Sequence, residues 1–531
     1  MPSISLLMSS AYVSQELALE FGLLPPAFLP IGTQRLYEHQ IPRLGDGYVY
    51  ITIPESFAPD PSDIARLQQL SALLIPVPDA LSLGDAAVYA INYAGLGTQP
   101  LRLLHGDTLI DEIPEHQGDA VAIAPQGDDY SWAEVDVAED GRITSLQTIS
   151  AGGVSERQRP VACGYFAFES STSLVRCITR AHGDFIGGLN LYAESTRVQA
   201  LPVGSWLDFG HLRTFFASRR EVTTQRAFNT LQIDGVVVRK SGDNHAKIRA
   251  EANWLAEVPP KVQIFAARLV DREDAPVPFY TTEYEYLPTL AELFVFGRIG
   301  RASWRRILAS CGDFLRACVA HPGPGLGDTA LSQIVGQKTS QRLREFGVAA
   351  DFDITRPCSF DGQAMPSLSD IAQRLEAFVT LRPGRLETVM HGDLCFSNIL
   401  YNSRNHRIRV LDPRGTVAPT RQTIFGDVRY DLAKLVHSVV GMYDIIIAGR
   451  YSVPGADGHR FSIDFALPPN HDWLVDEVDR FVIDGEWAGS REVRAISATF
   501  FLSMLPLHAD RPDRQRAFIA NALRLFADLD R

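Results

Sequence analysis

The chain has 531 residues, 46% of them hydrophobic and 21% charged, with 50 Lys and Arg against 63 Asp and Glu. At about 150 residues per domain there is room for roughly three domains, and a net charge of −13 argues against a nucleic-acid partner, which needs a clustered basic face. No run reaches the ~18 uninterrupted apolar residues of a membrane span. No basic stretch precedes the first apolar run, so no signal peptide is read there. Six cysteines, at 163, 177, 311, 318, 358 and 395, form no C-x-x-C pair and are expected as reduced thiols of a cytoplasmic protein.

Residues 1–220 alternate short strands with helical stretches. Ile4–Met8, Tyr48–Ile53, Leu73–Val77, Leu101–Leu104 and Ala120–Ala124 are apolar or β-branched runs bounded by Gly, Pro or Asp. Ser14–Phe21 and Ile64–Ser71 carry apolar residues at helical spacing. This alternation predicts a mostly parallel sheet covered by helices. Tyr130–Gln147, with the turn Glu139-Asp140-Gly141-Arg142, reads instead as an antiparallel insertion. A second pattern begins near Arg226. Leu231–Ile233, the Asp234-Gly235 turn and Val236–Lys240 predict a hairpin, followed by a helix over His245–Glu257 that ends at Pro259-Pro260. Strands are expected at Val262–Leu269 and Phe279–Tyr286. From Thr289 the chain reads as largely helical, interrupted by Glu387–Leu411 and a loop-rich stretch at Arg414–Gly426, with helices again at Asp431–Met442 and at the carboxy terminus.

The most informative stretch is Val389-Met-His-Gly-Asp-Leu-Cys-Phe-Ser-Asn-Ile-Leu400, followed by Ile408-Arg-Val-Leu-Asp-Pro-Arg-Gly415. Asp393, Asn398 and Asp412 are what phosphoryl transfer from a nucleotide requires. One carboxylate takes the proton of the attacking hydroxyl, while an amide oxygen and a second carboxylate hold Mg²⁺ on the phosphates. Asp393 is read as the base, and Asn398 with Asp412 as metal ligands. H-x-D-x-x-x-x-N spacing is that of a kinase catalytic loop, with D-P-R-G here in place of D-F-G.

Together with Gly426-Asp-Val-Arg-Tyr-Asp-Leu-Ala-Lys-Leu435, these residues resemble the aminoglycoside phosphotransferase and choline kinase group of small-molecule kinases. The resemblance covers about 226–531 and implies a bilobal, protein kinase-like α+β domain with ATP as donor and a small-molecule alcohol or sugar as acceptor. It also demands a phosphate-binding Lys on a strand and a Glu on the next helix, which Lys240 and Glu251 supply. Strand parity turns Lys240 inward and Arg239 away, and Lys247 is read as a solvated charge. No G-x-G-x-x-G precedes the strand. Glu283–Leu287 is the expected inter-lobe linker. A choline acceptor would need an aromatic cage, for which Trp473, Trp487 and Tyr443 are available.

In the amino-terminal half Asp107 follows a buried strand in Leu-His-Gly-Asp-Thr, where open α/β sheets bind ligands, and Asp208 lies in Trp206-Leu-Asp-Phe-Gly210. Two such carboxylates hold Mg²⁺ on a triphosphate and leave its other positions to phosphate oxygens; bare, each also fits a turn. With Pro26-Ala-Phe-Leu-Pro-Ile-Gly-Thr-Gln-Arg-Leu-Tyr-Glu-His-Gln40 and Cys163-Gly-Tyr-Phe-Ala-Phe168, they resemble sugar-nucleotide nucleotidyltransferases over about 3–220. The resemblance implies a Rossmann-like domain in which Asp107 and Asp208 are the metal ligands and CTP, UTP or GTP is the nucleotidyl donor. Met8-Ser-Ser-Ala-Tyr-Val-Ser-Gln15 replaces the family's A-G-x-G-x-R loop, and Pro26 stands where its activating Lys falls. Ser9, Ser10 and Arg35 are the substitutes at hand.

The domains expected are therefore 1–222 (nucleotidyltransferase-like), 223–288 (kinase-like N-lobe) and 289–531 (helical C-lobe). The reading that combines them is a bifunctional enzyme that makes an NDP-activated sugar, polyol or amino alcohol for bacterial surface glycan, capsule or lipopolysaccharide. One alternative keeps the kinase and makes the amino-terminal half a nucleotide-sugar sensor or scaffold. Another makes both halves degenerate binding factors. A protein kinase is disfavoured by the lack of an A-P-E-like segment. Whether copies of the chain associate as a homo-oligomer is open.

Overall fold

The computed structural model describes residues 3–97, 99–125, 132–149, 159–223, 225–226, 229–274, 276–380, 382, 384–418, 421–455 and 458–530. It divides into two units, Met1–Thr223 and Thr224–Arg531.

The first unit is built on a mixed sheet whose centre is parallel. Its order is Ile143–Ile149, Trp132–Val137, Pro160–Phe168, Leu101–His105, Ser3–Met8, Gly47–Pro54, Ala72–Val77, with Ala120–Pro125 and Gln199–Pro202 branching from Pro160–Phe168. The last four strands of that order run parallel to one another. The central strand Ser3–Met8 is, Ser5 apart, an apolar run buried on both faces from Ile4 to Met8, whereas the edge strand Ala72–Val77 leaves Leu73 exposed. Leu6, Leu103, Ile75 and Phe166 pack against Ile91, Ile178 and Leu189 of the flanking helices. Strand order reverses beside Ser3–Met8, so its end and the end of Leu101–His105, paired through Met8 and His105, flank a topological switch point. The insertion is an antiparallel pair turned by Gly141 at φ +79°; Tyr130 and Ser131 lie outside the described residues.

The second unit opens with an antiparallel sheet ordered Gln225–Arg226, Asn229–Ile233, Val237–Ser241, Phe279–Glu283, Leu269–Glu273. The helix His245–Glu257 is started by the Asn244 side chain, which accepts from the Lys247 amide. The strand expected at Val262–Leu269 is not found. Pro260–Gln263 is helical and the edge strand begins at Leu269. Pro260 presets φ at the first helical position, and Val262, Phe265 and Ala266 are buried at helical spacing. Beyond Thr289 helices predominate, the longest being Arg301–Val319 and Pro512–Asp530. Two further hairpins interrupt them, Pro357–Phe360 with Gln363–Ser367 and Val482–Ile483 with Glu486–Trp487. No helix among the described residues is long and apolar enough to cross a membrane. All six cysteines are free and buried.

Candidate functional site

In the first unit the site grows from the switch point. The strand Leu101–His105 ends in Gly106, where a Cβ would stand 2.8 Å from both the Met8 carbonyl oxygen and the Ser9 Cβ. Only glycine permits that approach, and Asp107 is thereby set beside the end of the neighbouring strand. Gln40 fixes the turn from below: its Nε2 donates to the carbonyls of His105, Gly106 and Thr108 at 3.3, 3.0 and 2.8 Å. The short strand Trp206–Asp208 pairs with Thr108–Ile110, Asp208 opposite Thr108, and the Phe209 amide donates to the Asp107 carbonyl at 2.8 Å. Both carboxylates then converge. A Cβ on Gly210 would lie 2.6 Å from Asp107 Oδ2 and 3.3 Å from Asp208 Oδ1.

Burial, and then the Asp208 charge, push the Asp107 carboxyl up to about 6. A divalent cation between the two would reverse that cost, since it favours both ionised forms. Asp208 is oriented by His211 Nδ1 at 3.2 Å and by the Thr214 hydroxyl. The donor set is two carboxylates, which suits Mg²⁺ sharing its shell with phosphates. Among the described residues no group of three or more His, Cys, Asp or Glu is arranged to hold a metal.

The substitutes for the missing loop fare differently. Ser9 is fully buried; its amide donates to Thr52 Oγ1 at 2.8 Å and its hydroxyl accepts from the Ala27 amide at 3.0 Å. Both groups are committed to the fold. Arg35 is also buried, ion-paired to Asp63 at 2.9 Å and donating to the Phe28 carbonyl at 2.7 Å. It is a structural cation, and the expectation that Ser9 and Arg35 grip a triphosphate is corrected accordingly. Ser10 is half-buried in the loop that follows.

In the second unit, strand, helix and loop bring four polar side chains together. Lys240 Nζ lies 2.7 Å from Glu251 Oε2 and 2.8 Å from Asp412 Oδ1. Tyr280, opposite Lys240 in the sheet, donates to Glu251 Oε2 at 2.8 Å. Lys240 is buried while Arg239 is exposed, as parity requires. Burial opposes the Lys240 ammonium, but Asp412 and Glu251 together hold its pKa above the usual range. Lys247 reaches only 3.5 Å from Glu251 and is half exposed.

Asp393 sits on the turn after Leu386–Val389. The His391 and Gly392 amides both donate to Asp431 at 2.7 Å, and Trp254 Nε1 donates to the Met390 carbonyl at 2.8 Å. Asn398 Nδ2 donates to the Asp393 carbonyl at 2.9 Å and to Oδ2 at 3.1 Å, which leaves its amide oxygen for a cation. Lys434 Nζ lies 2.8 Å from Asp393 Oδ1. Burial disfavours the ionised carboxyl, yet Lys434 and Arg414 hold Asp393 well below the usual carboxylate range. Asp412 ends the strand pair Ile399–Asn402 and Arg407–Val410 in the left-handed region, φ +53°, a conformation Asp tolerates better than most residues. Gly415, at φ +63°, passes so close to the helix His245–Glu257 that a Cβ would be 2.1 Å from the Ala250 carbonyl oxygen.

Sequence reasoning misses the roles of Gln40, Tyr280 and Lys434, whereas Asp431 lies in the Asp-Leu-Ala helix that the resemblance sets against the loop, and it accepts there from the His391 and Gly392 amides. Asp431 and Lys434 lie three apart on one helix face, a spacing that is legible; the partner of Lys240 across the sheet needs the register. The aromatic cage does not assemble: Tyr443 stacks on His437, Trp473 lies under Arg301 and Arg305, and Trp487 is on a distant hairpin donating to the Asp479 carbonyl.

No protein-family model and no curated protein sequence matches the chain. Its structural neighbours over about 43% of the chain, the amino-terminal half, are sugar-nucleotide nucleotidyltransferases and related enzymes. A UTP-bound UGPase from Acinetobacter baumannii is 12% identical, covering 43% of this chain and 95% of its own, with a TM-score of 0.34. The CTP:phosphocholine cytidylyltransferase LicC from Streptococcus pneumoniae is 11% identical over 42% of this chain and all (100%) of its own, TM-score 0.34. HddC from Yersinia pseudotuberculosis is 13% identical over 42% and 100%, TM-score 0.33. A likeness of this size says nothing about activity.

Proposed function

We propose that the chain is a bifunctional enzyme of the cytoplasm, with a small-molecule kinase in 223–531 (N-lobe 223–288, helical C-lobe 289–531) and a nucleotidyltransferase in 1–222. The observation that carries the kinase is the Lys240–Glu251–Asp412 ion triad beside the Asp393–Asn398 loop. The acceptor hydroxyl attacks the γ-phosphorus of ATP, its proton passes to Asp393, and the bond to the ADP oxygen breaks. Lys240 holds ATP phosphates, Glu251 holds Lys240, and Asn398 and Asp412 hold Mg²⁺. In the first unit Asp107 and Asp208 would hold Mg²⁺ on a CTP, UTP or GTP. An oxygen of the new phosphate attacks the α-phosphorus, pyrophosphate leaves, and an NDP-activated sugar, polyol or amino alcohol results, of the kind consumed in building surface glycan. What supports this half is the paired carboxylates at the switch point.

A mass-spectrometric screen of the full chain with ATP, Mg²⁺, all four NTPs and a panel of alcohols tests both halves. Asp393→Asn should abolish phosphorylation, and Asp107→Ala should abolish pyrophosphate release while sparing it. A wild-type rate in Asp393→Asn would sink the kinase assignment. A second reading is favoured by Ser9 and Arg35, whose polar groups are committed to the fold: the first unit binds a nucleotide or nucleotide sugar without turning it over. Binding of an NTP with no pyrophosphate release from any acceptor phosphate would select it.

A further inference from the structure

The loop of Asp393 brings no cation of its own: Leu394, Cys395, Phe396 and Ser397 stand between it and Asn398. One reaches it from the helix Val428–Val439. Asp431 accepts from the His391 and Gly392 amides at 2.7 Å, Lys434 Nζ lies 2.8 Å from Asp393 Oδ1, and Ser438 accepts from the Phe396 amide at 2.9 Å. Residues three and four apart share a helix face, so one face grips the loop before, at and after Asp393. Lys434 is buried, and its ammonium is 4.5 Å from the centre of the Phe500 ring, a face that attracts cations. Among the described residues no other cation comes within ion-pair distance of Asp393.

Stability does not call for this lysine. Taking an ammonium out of water is costly, and an apolar side chain of similar volume often serves a fold as well. The orientation of Asp393 is already supplied by Asn398, which donates to its Oδ2 at 3.1 Å. The transfer itself has a use for the charge. Asp393 and the γ-phosphoryl group, both anionic, must approach the same hydroxyl, and they repel one another unless a cation lies beside them. The hydroxyl oxygen then bonds to the γ-phosphorus, the bond to the bridging oxygen breaks, and the proton goes to Asp393. The charge that leaves the carboxylate reappears on the β-phosphate of ADP, while the phosphoryl group carries its own two charges across to the acceptor. Lys434 therefore loses its partner as an anion arrives beside it. Lys240, paired with Glu251 and Asp412, serves the nucleotide phosphates instead.

Resting on the phosphotransferase reading above, we propose that Lys434 is a catalytic residue of that half: it screens Asp393 from the incoming phosphoryl group and, once Asp393 holds the proton, binds an oxygen of the transferred group. The hydrogen bond from ammonium to phosphoryl oxygen is charge-assisted and stronger than a neutral one. A contact made only as the transition state forms raises kcat and leaves the affinity for ATP where it was.

The test uses the full chain, with Asp107→Ala throughout to silence the nucleotide site proposed for the first unit. Water serves as the acceptor in ATP hydrolysis, and Mg·ADP with aluminium fluoride mimics the transferring phosphoryl group. Lys434→Met should lower kcat for hydrolysis about a hundredfold with KM for ATP unchanged, the size of one electrostatic contact made in the transition state. In calorimetry it should bind Mg·ADP as the parent does and bind the fluoride complex about tenfold more weakly. Asp393→Asn leaves the lysine without a carboxylate to hold, and adding Lys434→Met to it strands no charge. A lysine that serves only Asp393 would then be silent in the fluoride complex; one that touches the phosphoryl group should cost the same tenfold again. Fluoride binding equal in Asp393→Asn and the double variant overturns the proposal, and so does hydrolysis by Lys434→Met at the parent rate. A parent chain that binds no Mg·ADP removes the phosphotransferase reading, and the proposal with it.

Discussion

Lys240 is the residue on which most of the second site turns, and its substitution separates stability from chemistry. Its partner Glu251 is fully buried, and burial already pushes that carboxyl up. Lys240→Met would leave Glu251 with only the half-exposed Lys247 at 3.5 Å, so the cost should approach, from below, the ~3–5 kcal/mol of a buried pair broken on one side. Chemical denaturation should register that loss in the second unit. Adding Glu251→Gln removes the stranded charge, keeps an acceptor for the Tyr280 hydroxyl and should recover most of the stability. The double variant should stay inactive, because the cation for ATP's phosphates is still missing. Lys240→Met as stable as wild type would show the pair to be solvated. In the first unit Gln40→Leu keeps volume but strips the donor from three carbonyls around Asp107. About 1–3 kcal/mol and the Mg²⁺-dependent binding of nucleotide, read by calorimetry, should be lost together.

At the scale of elements, the segment Asp412–Gly415 approaches the backbone of the helix His245–Glu257 closely at Gly415. Gly415→Ala places a Cβ against the Ala250 carbonyl oxygen, an atom with no rotamer to escape into, and adds about 1–2 kcal/mol for an L-residue in the left-handed region. Gly384, at φ +82° with nothing within 4 Å of its Cβ position, is the control that carries only the conformational cost. Gly415→Ala should therefore shift the denaturation midpoint further than Gly384→Ala and should alone raise KM for ATP. Elements of this kind are partly legible in the sequence. The helix His245–Glu257 shows its boundaries through Asn244 and Pro259, and the parallel strands show theirs through apolar or β-branched runs. The hairpins after Pro357 and Val482 are equally announced, by Asp361-Gly362 and Asp484-Gly485, whose φ values are all positive as a type I′ turn demands; the helical signals around them mask both. Val262–Leu269 misleads for the opposite reason, its β-branched start outweighing Pro260 and a helical burial spacing. Within the sites, Asp393, Asn398 and Asp412 are expected from motif spacing, and Asp107 and Asp208 from the family resemblance. The commitments of Ser9 and Arg35 do not, since Thr52, Ala27 and Asp63 become their partners only through the fold.

For the whole molecule, the division into Met1–Thr223 and Thr224–Arg531 predicts two unfolding transitions, because each unit has its own sheet and its own core. Their acid behaviour can be told apart through buried imidazoles. Burial lowers His105 in the first unit to about 4 and His391 in the second to about 4, and it holds His437, packed against Tyr443 and Phe501, well below the usual range. A histidine depressed in the fold contributes stability that is fully present above the unfolded pKa near 6.5 and is lost as pH falls toward the folded value. The unfolded chain takes the proton first, and each tenfold difference in proton affinity between the two states is worth ~1.4 kcal/mol. Buried carboxyls run the other way: Asp107 is raised to about 6 and Asp431 to about 7, so the folded form is protonated first and each gains stability as pH falls. The two signs offset, and wild-type melting should change little between pH 7 and 5. Single substitutions expose the halves of that balance. His391→Gln removes one depressed imidazole, so relative to wild type it should gain about 3 kcal/mol on passing from pH 7 to 4, in the transition of the second unit only. His105→Gln should do the same for the first unit and leave the second unmoved. Calorimetric scans of the full chain at pH 7, 6, 5 and 4 read both; a pH-independent offset in either variant would mean that the imidazole is hydrated and keeps its ordinary pKa in the folded chain, and a slope of opposite sign that it is protonated there.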